Sequence, residues 1–466
     1  MIKLQGKYAY ADVMIDTVEP ECIAQIYDFL NHPLYEGSKI VIQADTHGGK
    51  GSVIGYTQTL NGKGICSNVV GVDIACGMNM WPLAEPNDFA EFDKAIRSVV
   101  PLGANVHKSA VVTMEKDFRW KEVNRDVLHF VQRFNKKFDD QYFAPEINYE
   151  WFTEFAEKLK NVGQLQKDFI ERVNQSLGTL GGGNHFVEVD TDENGRHYLV
   201  IHSGSRNIGQ RIAMYYQKLA EGQEHNKEYN KDLAYLKGQD MIDYLTAMVV
   251  MRHFASMNRR VMGEQISKAT GMPLGTLTET IHNYIDDRDF IIRKGAIRSY
   301  KGEQMIIPFN MRDGSWIVEG KSNPDYNYSA PHGAGRLMSR TQAKRTLKLE
   351  EFINTMDGIF STSICLETLD EAPEAYKPAA AIQAAIGDTA KIIHKLKPVY
   401  NLKSTDESFF IRKKKKLTNP GDNSKDAVWV RVKETLPVGT ITTENESTLR
   451  AEFESTPREF CKQYRK

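Results

Sequence analysis

The residues best equipped for chemistry lie in four short segments. In NHFVEVDTDENGRHYLVIHSGSR, two alternating apolar and polar runs surround DENG, the pattern of a β-hairpin. A four-residue loop over Asp192–Gly195 sets His185 and His202 directly opposite one another, with Cβ atoms roughly 4.5–5.5 Å apart. A two-residue Asn194-Gly195 turn leaves them diagonal on one face, whereas an odd-length loop puts them on opposite faces and removes the pairing. In GVDIACGM, Gly71 and Gly77 argue against a helix, so Asp73 and Cys76 fall in a loop able to bring carboxylate and thiolate to one point. His282 in IHNYID adds another imidazole. A buried cysteine alone is usually packing. Carboxylate, thiolate and imidazoles together suit a borderline divalent cation, a thiolate can bridge two ions, and ligand type does not separate zinc, manganese and iron.

The fourth segment, SAPHGAGRLMSR, supplies a nucleophile. His332 is followed by Gly333, Ala334, Gly335 and Arg336, a small-residue loop whose amides can cradle phosphate while Arg336 offers a planar cation. A histidine can itself take up a phosphoryl group covalently. In isolation the same loop also reads as a turn with a capping histidine.

These groups need elements that place them. Short β-rich runs end in polar residues: KIVIQAD at Asp45, NVVGVDIAC at Cys76 and YLVIH at His202. Helical spacing dominates from Tyr149 to Leu177 and from Leu233 to Ala269. The 34 glycines are an average share for 466 residues, but they crowd Gly48–Gly77, Gly178–Gly183 and Gly333–Gly335, where backbone must turn tightly or approach something closely. The pattern predicts an α+β fold with glycine-rich loops at strand ends. With 60 Lys plus Arg against 61 Asp plus Glu, the chain is no general polyanion coat, and any nucleic-acid contact must come from local patches. Five scattered cysteines are not a disulfide framework. The opening MIKLQGKYAYADVMID lacks a leader-type apolar stretch and no long apolar run follows, so the expected location is cytoplasmic, with no membrane partner.

Seven co-linear motifs, GVDIACGM, GTLGGGNHFVEV, HSGSR, HNY, RKGAIR, HGAGRLMSR and EAPEAYK, closely resemble the RtcB family of GTP-dependent RNA ligases. The resemblance runs from about Asp45 to Lys403. It implies one large catalytic domain over residues 1–403, with helical insertions and a small appendage over 404–466. It implies two manganese ions, with Cys76 as bridge, Asp73 and His185 on one side, and His202 and His282 on the other; His332 is the residue that becomes guanylylated. The implied GTP pocket comprises Asn184, Phe186, Glu188, Asn283, Gly333, Ala334, Gly335, Arg336, Tyr376 and Lys403, with Glu188 accepting from the guanine N1 and N2 donors. Asp45 and His47 of QADTHGGKGSVIG match the family's Asp-x-His, and analogy sets Asp45 near Lys403. The implied activity joins RNA 3'-phosphate or 2',3'-cyclic phosphate ends to 5'-hydroxyl ends, in tRNA processing or RNA repair, with an archease-type activator as a partner the family sometimes uses.

Arg206, Arg293, Lys294, Arg298, Arg336, Arg340, Lys344 and Arg345 lie in or near these motifs and are the candidate RNA contacts, Arg206 and Arg336 foremost. There are departures. IPFNMRDGSW, Ile307 to Trp316, stands where the family usually carries a Pro-Gly-Ser-Met-Gly-type segment against the nucleotide, and Ala75 replaces a glycine of the metal loop. The extra tail carries a basic run, Arg412 to Lys416, and a formal charge of about +3. An altered nucleotide wall also fits a second function, a metal-dependent RNA-end phosphoesterase or cyclic phosphodiesterase that does not ligate.

Overall fold

The computed structural model describes residues 1–405 and 446–455. The chain separates into two units, Met1–Thr405 and Asp406–Lys466. Within the second, the described residues form one helix, Glu446–Ser455; the basic run Arg412–Lys416 lies outside the described residues.

The first unit is built on two large sheets. One has six strands in the spatial order Ile2–Gln5, Tyr10–Val13, Ile40–His47, Ile54–Thr59, Ile291–Lys294 and Asn283–Ile285. The other has seven, in the order Gln304–Pro308, Ser315–Gly320, Ala390–Lys403, Phe186–Thr191, His197–Ser203, Gly77–Leu83 and Thr278–Ile281, all antiparallel. Its two edge strands approach each other, so the sheet nearly closes on itself. Helices and both sheets together bear out the α+β expectation.

Side-chain alternation explains how the seven-stranded sheet has two apolar faces. In Phe186–Thr191, Val187 and Val189 join Leu199, Ile201, Tyr400 and Leu402 in a core that also takes Met262 and Ile266 from the helix Gly238–Thr270. Phe186, one residue out of phase, joins Met78, Met80, Tyr198, Val200, Ile306, Ile317 and Leu396 on the enclosed side. Gly238–Thr270 buries residues on more than one side because it serves two cores; Met241 to Ala255 pack into the larger cluster around the six-stranded sheet.

The strands ending at Asp45 and His202 form as expected, within Ile40–His47 and His197–Ser203. NVVGVDIAC does not extend. Ser67–Val70 is a short helix and the strand begins only at Gly77, because the intervening loop turns through a left-handed Ala75, φ 57°. The apolar stretch from Tyr149 breaks into two helices, Tyr149–Leu159 and Phe169–Ser176. Among the described residues no helix is long and apolar enough to cross a membrane.

Candidate active site

The two sheets meet where the chain passes from Thr278–Ile281 of one into Asn283–Ile285 of the other, and His282 is the residue at that crossing. Cys76 stands just before Gly77–Leu83, the neighbouring strand, with its carbonyl accepting from the His282 amide at 3.0 Å. His202 lies near the end of the next strand.

The hairpin has the odd-length loop. Phe186 faces His202, Glu188 faces Val200 and Thr191 faces His197, leaving five residues, Asp192–Arg196, in the turn. Asp192 sets this length by accepting from the amides of Asn194 (2.8 Å) and Arg196 (2.9 Å), while Gly195 takes φ 77°, the left-handed position of a turn with a glycine bulge. Direct pairing of His185 with His202 is therefore wrong. They meet nonetheless, ring centroids 5.2 Å apart, because His185 precedes the strand and escapes its alternation.

Four side chains converge on Cys76 and its neighbours. The sulfur lies 3.4 Å from His185 Nε2 and 3.2 Å from His202 Nε2; His202 Nε2 is 3.3 Å from His282 Nε2, and His185 Nε2 is 3.0 Å from Asp73 Oδ2. His185 Nδ1 donates to the Leu180 carbonyl (2.9 Å) and His202 Nδ1 to that of Asn184 (3.2 Å), so each presents an Nε2 lone pair inward. Burial, then neighbouring imidazoles, keep His202 and His282 well below the usual histidine range. Burial and Asp73 push the Cys76 thiol well up, a penalty that a cation touching sulfur reverses. Burial raises Asp73, but a positive charge between its carboxylate and His185 Nε2, a proton when no cation is there, outweighs burial and holds it down at about 2. Converging lone pairs, a buried sulfur and a carboxylate fit a metal ion, and Cys76, His185 and His202 satisfy that geometry directly, their donor atoms lying within 4.8 Å of one another. Gly204 is obligatory here, since a Cβ would come within 2.2 Å of the Asp73 carboxylate.

His332 stands beside this cluster, its ring centroid 4.8 Å from that of His282. Asp45, fully buried, accepts from His332 Nδ1 (2.7 Å), from the His332 amide (3.0 Å) and from the Gly333 amide (3.2 Å). A carboxylate only accepts, so the ring proton sits on Nδ1 and the Nε2 lone pair is free. Asp45 thus has His332 as its partner. The Lys403 that analogy set near it bonds Glu371 (2.8 Å) and the Asn184 carbonyl (3.3 Å) instead. His47 donates to the Asp45 carbonyl at 3.0 Å, and burial holds it down at about 4.

His332 opens into a cavity of about 820 Å³ whose wall also includes His47, Asn184, Phe186, Glu188, His202, Gly333, Ala334, Gly335, Arg336, Tyr376 and Lys403. Pro308, Phe309, Asn310 and Met311 of the divergent segment form part of it. There Phe309 packs on Trp316 (centroids 4.3 Å) and Asn310 caps the turn by accepting from Asp313 N at 2.9 Å. Of the residues expected in the nucleotide pocket, Asn283 is not on this wall, and neither is Arg206. Asn283 spends its amide on backbone, donating to Asp73 O (3.1 Å) and accepting from Gly295 N (2.9 Å). Arg206 donates to Thr179 Oγ1 and to Gly103 O, both at 3.0 Å.

Several organising residues were not singled out from the sequence. Glu371, within the EAPEAYK motif, accepts from Lys403 (2.8 Å), Arg340 (2.6 Å), Tyr376 (2.6 Å) and Arg336 (3.3 Å); those cations outweigh its burial and hold it at about 2. Asp370 takes Arg340 (2.7 Å) and Lys344 (3.2 Å), and three cations on the cavity wall, Arg336, Arg340 and Lys403, gather on Glu371. Arg259, completely buried, donates to the carbonyls of Ala75 (3.1 Å) and Ser203 (2.8 Å), tying together the residues next to Cys76 and His202. Its only sequence signal is a charge inside an apolar helix.

The RNA candidates divide by burial. Arg293 is fully buried and bonds Asp286 at 3.1 Å; Lys294 is buried among the carbonyls of Lys50, Ser52 and Asn68, and burial brings it down to about 7. Neither can reach a phosphate, which corrects their reading as RNA contacts. Arg298 is exposed and pairs with Glu303 (3.0 Å); Arg340, on the cavity wall, and Arg345 are exposed. Arg293→Ala is expected to leave Asp286 as an unpaired buried charge, costing about 3–5 kcal/mol in urea unfolding, with the salt dependence of RNA binding unchanged.

A metal-type donor cluster stands beside a carboxylate-held histidine at a cavity lined by Arg336, Arg340 and Lys403, the arrangement of an enzyme active site. Residues 25–404 match the family model for tRNA-splicing ligase RtcB, and the chain belongs to that family of ligases. The RNA-splicing ligase RtcB of Escherichia coli (strain K12) is 33% identical over 391 residues, covering 78% of this chain and 90% of that protein. The tRNA-splicing ligases RtcB of Nanoarchaeum equitans (strain Kin4-M) and Thermococcus kodakarensis are each 25% identical, over 423 and 431 residues; they cover 78% and 77% of this chain and 88% and 86% of their own lengths.

Proposed function

We propose that residues 1–403 form an RNA ligase that joins 3'-phosphate or 2',3'-cyclic phosphate ends to 5'-hydroxyl ends through a covalent His332-GMP intermediate, with GTP and two Mn2+ ions, in tRNA processing or RNA repair. The observation that carries this is His332: its Nδ1 is fixed by Asp45 at 2.7 Å, its ring lies 4.8 Å from His282, and it opens on a cavity with a cationic wall.

His332 Nε2 attacks the α-phosphorus of GTP and pyrophosphate leaves; Asp45 keeps the proton on Nδ1 throughout, as a carboxylate does for a catalytic imidazole. Arg336 and Lys403 receive the phosphates, and Glu188 and Phe186 receive guanine. A cyclic end is first opened by hydrolysis. The RNA 3'-phosphate oxygen then attacks the His332 phosphoramidate, the P–N bond breaks, and an RNA-3'-pp-5'-G end results. The 5'-hydroxyl oxygen of the second RNA attacks the RNA-side phosphorus and GMP leaves. Asp73, Cys76, His185, His202 and His282 would hold Mn2+, which supplies charge neutralisation on transferring phosphates and lowers the pKa of a nearby hydroxyl. An archease-type protein is the proposed activator for repeated turnover.

Incubation with α-labelled GTP and Mn2+ is expected to give a protein-bound label that is acid-labile and alkali-stable, discharged by RNA with a 3'-phosphate and retained with a 3'-hydroxyl. Absence of that label, with cyclic phosphates opened without GTP, would replace ligation by the phosphoesterase reading.

A further inference from the structure

Alternation in Phe186–Thr191 sends Phe186, Glu188 and Asp190 to the same side, into the enclosed interior of the seven-stranded sheet. Glu188 lines the cavity; Asp190, two residues further in, is fully buried. The lining there is apolar, with Met78, Met80, Val200, Ile306, Ile317 and Leu396. Two carboxyls side by side in such an interior cannot both be ionised cheaply. Neither Asp190 oxygen has a hydrogen-bond donor. The Asp190 carboxyl lies against that of Glu188 and near the Ser315 hydroxyl, which makes no hydrogen bond to it. A proton between the carboxyls satisfies both.

The groups bearing on the pair are few. From its own strand Glu188 faces Asp190; from Ala390–Lys403 it faces Asn401, whose amide donates to it, and Lys403. His197–Ser203 contributes Val200 opposite Glu188 and Tyr198 opposite Asp190, and the Tyr198 hydroxyl is turned to Asp192 at 3.1 Å.

We propose that Asp190 is a positioning residue for guanine recognition: it takes the proton shared with Glu188 and donates it back as a hydrogen bond, leaving Glu188 as the anionic acceptor that the guanine N1 and N2 donors require. This rests on the reading of Glu188 as the guanine acceptor. When the base binds, the proton resides on Asp190 and need not be lost to solvent, so guanine is recognised at neutral pH although Glu188 is buried. Burial raises both groups, and Asp190 raises Glu188 further, well above the carboxylate range, while Asp190 reaches only about 6; without a ligand the shared proton therefore lies on Glu188, and the guanine donors draw the charge to Glu188 and the proton to Asp190. As pH falls through that region a second proton joins the pair, Glu188 presents a donor to a donor, and affinity for guanine falls; as pH rises it recovers.

The test uses GMP and AMP as calorimetric ligands for the full chain, since neither can guanylylate His332 and their own titration cancels in ratios between variants. Asp190→Asn keeps an N–H donor toward Glu188 and adds no titrating proton. It should bind GMP within about threefold of the parent at pH 7.5, and should outbind it by several-fold at pH 5.5. Asp190→Leu removes the donor, leaves Glu188 to take the proton itself, and should lose at least about tenfold at pH 7.5. A merely space-filling role predicts the reverse order, because leucine suits an apolar interior better than an amide. Asp190→Leu binding GMP like the parent, or both variants weakening equally, overturns the role of Asp190. Glu188→Gln separates the two readings. If it keeps the preference for GMP over AMP, the guanine assignment of Glu188 fails; if it loses that preference while Asp190→Leu is silent, only the role of Asp190 fails.

Discussion

A His332→Ala variant is expected to lose covalent guanylate by at least ~10⁴-fold, the scale on which removal of a catalytic nucleophile acts, while still joining RNA supplied with a ready-made 3'-pp-5'-G end. Other groups on the cavity wall are poor substitutes. Cys22 is there, but burial and Glu19 push its thiol up to about 11, so it is not a thiolate at neutral pH. His202 turns its Nε2 to Cys76 and His282. The rival is His47, neutral by burial, with Nδ1 bonded to the Asp45 carbonyl. The Asp45 carboxylate on Nδ1 fixes the His332 ring beside His282 and the donor cluster, whereas His47 is held only by a backbone carbonyl. Residual label in His332→Ala that disappears in His332→Ala/His47→Ala would transfer the role to His47. Failure on the pre-activated end would mean that His332 also serves the final step.

The set of converging donors was legible from the sequence because each group sits in a short motif that names its own donor type. Asp73, Cys76, His202, His282 and His332 converge although they are contributed by distant segments. The path by which they converge was less legible. The loop length of the Asp192–Arg196 turn is decided by which amides the Asp192 carboxylate captures, and a one-residue change there reverses every face. His185 reaches the cluster by lying outside the ladder that was expected to bring it.

Charge is the other quantity that local reading misjudges. Arg293 and Arg336 look alike in sequence, yet one is consumed by Asp286 in the core and the other lines the cavity; the difference lies in partners 7 and 35 residues away. Glu371 gathers Arg336, Arg340, Tyr376 and Lys403 only once the fold is complete, so its role had no local signature. The balance of 60 against 61 charges therefore conceals a cationic wall that is assembled by topology.

Removal of the sulfur at the centre of the cluster should be nearly as damaging as removal of His332. Cys76→Ala deletes the atom that lies within 3.4 Å of both His185 and His202, leaving their Nε2 lone pairs with no common anionic partner. Since loss of an outer hydrogen-bond partner costs a metal site 10–100-fold in affinity, loss of this ligand should cost at least ~100-fold. Co2+ gives a readout independent of ligation: the parent should show a thiolate-to-cobalt charge-transfer band that Cys76→Ala lacks, with fewer ions retained per chain. The other described cysteines cannot stand in: Cys22 lies beside Glu19, its thiol pushed up by burial. Cys66 is buried against the Asp232 carbonyl and Cys365 lies against Thr368, neither beside an imidazole of the cluster. Folding should survive, because cysteine to alanine in a core removes a single atom and costs ~1 kcal/mol; circular dichroism checks this. A cobalt–thiolate band of undiminished intensity in Cys76→Ala would move the metal centre away from Cys76 and detach His332 from it.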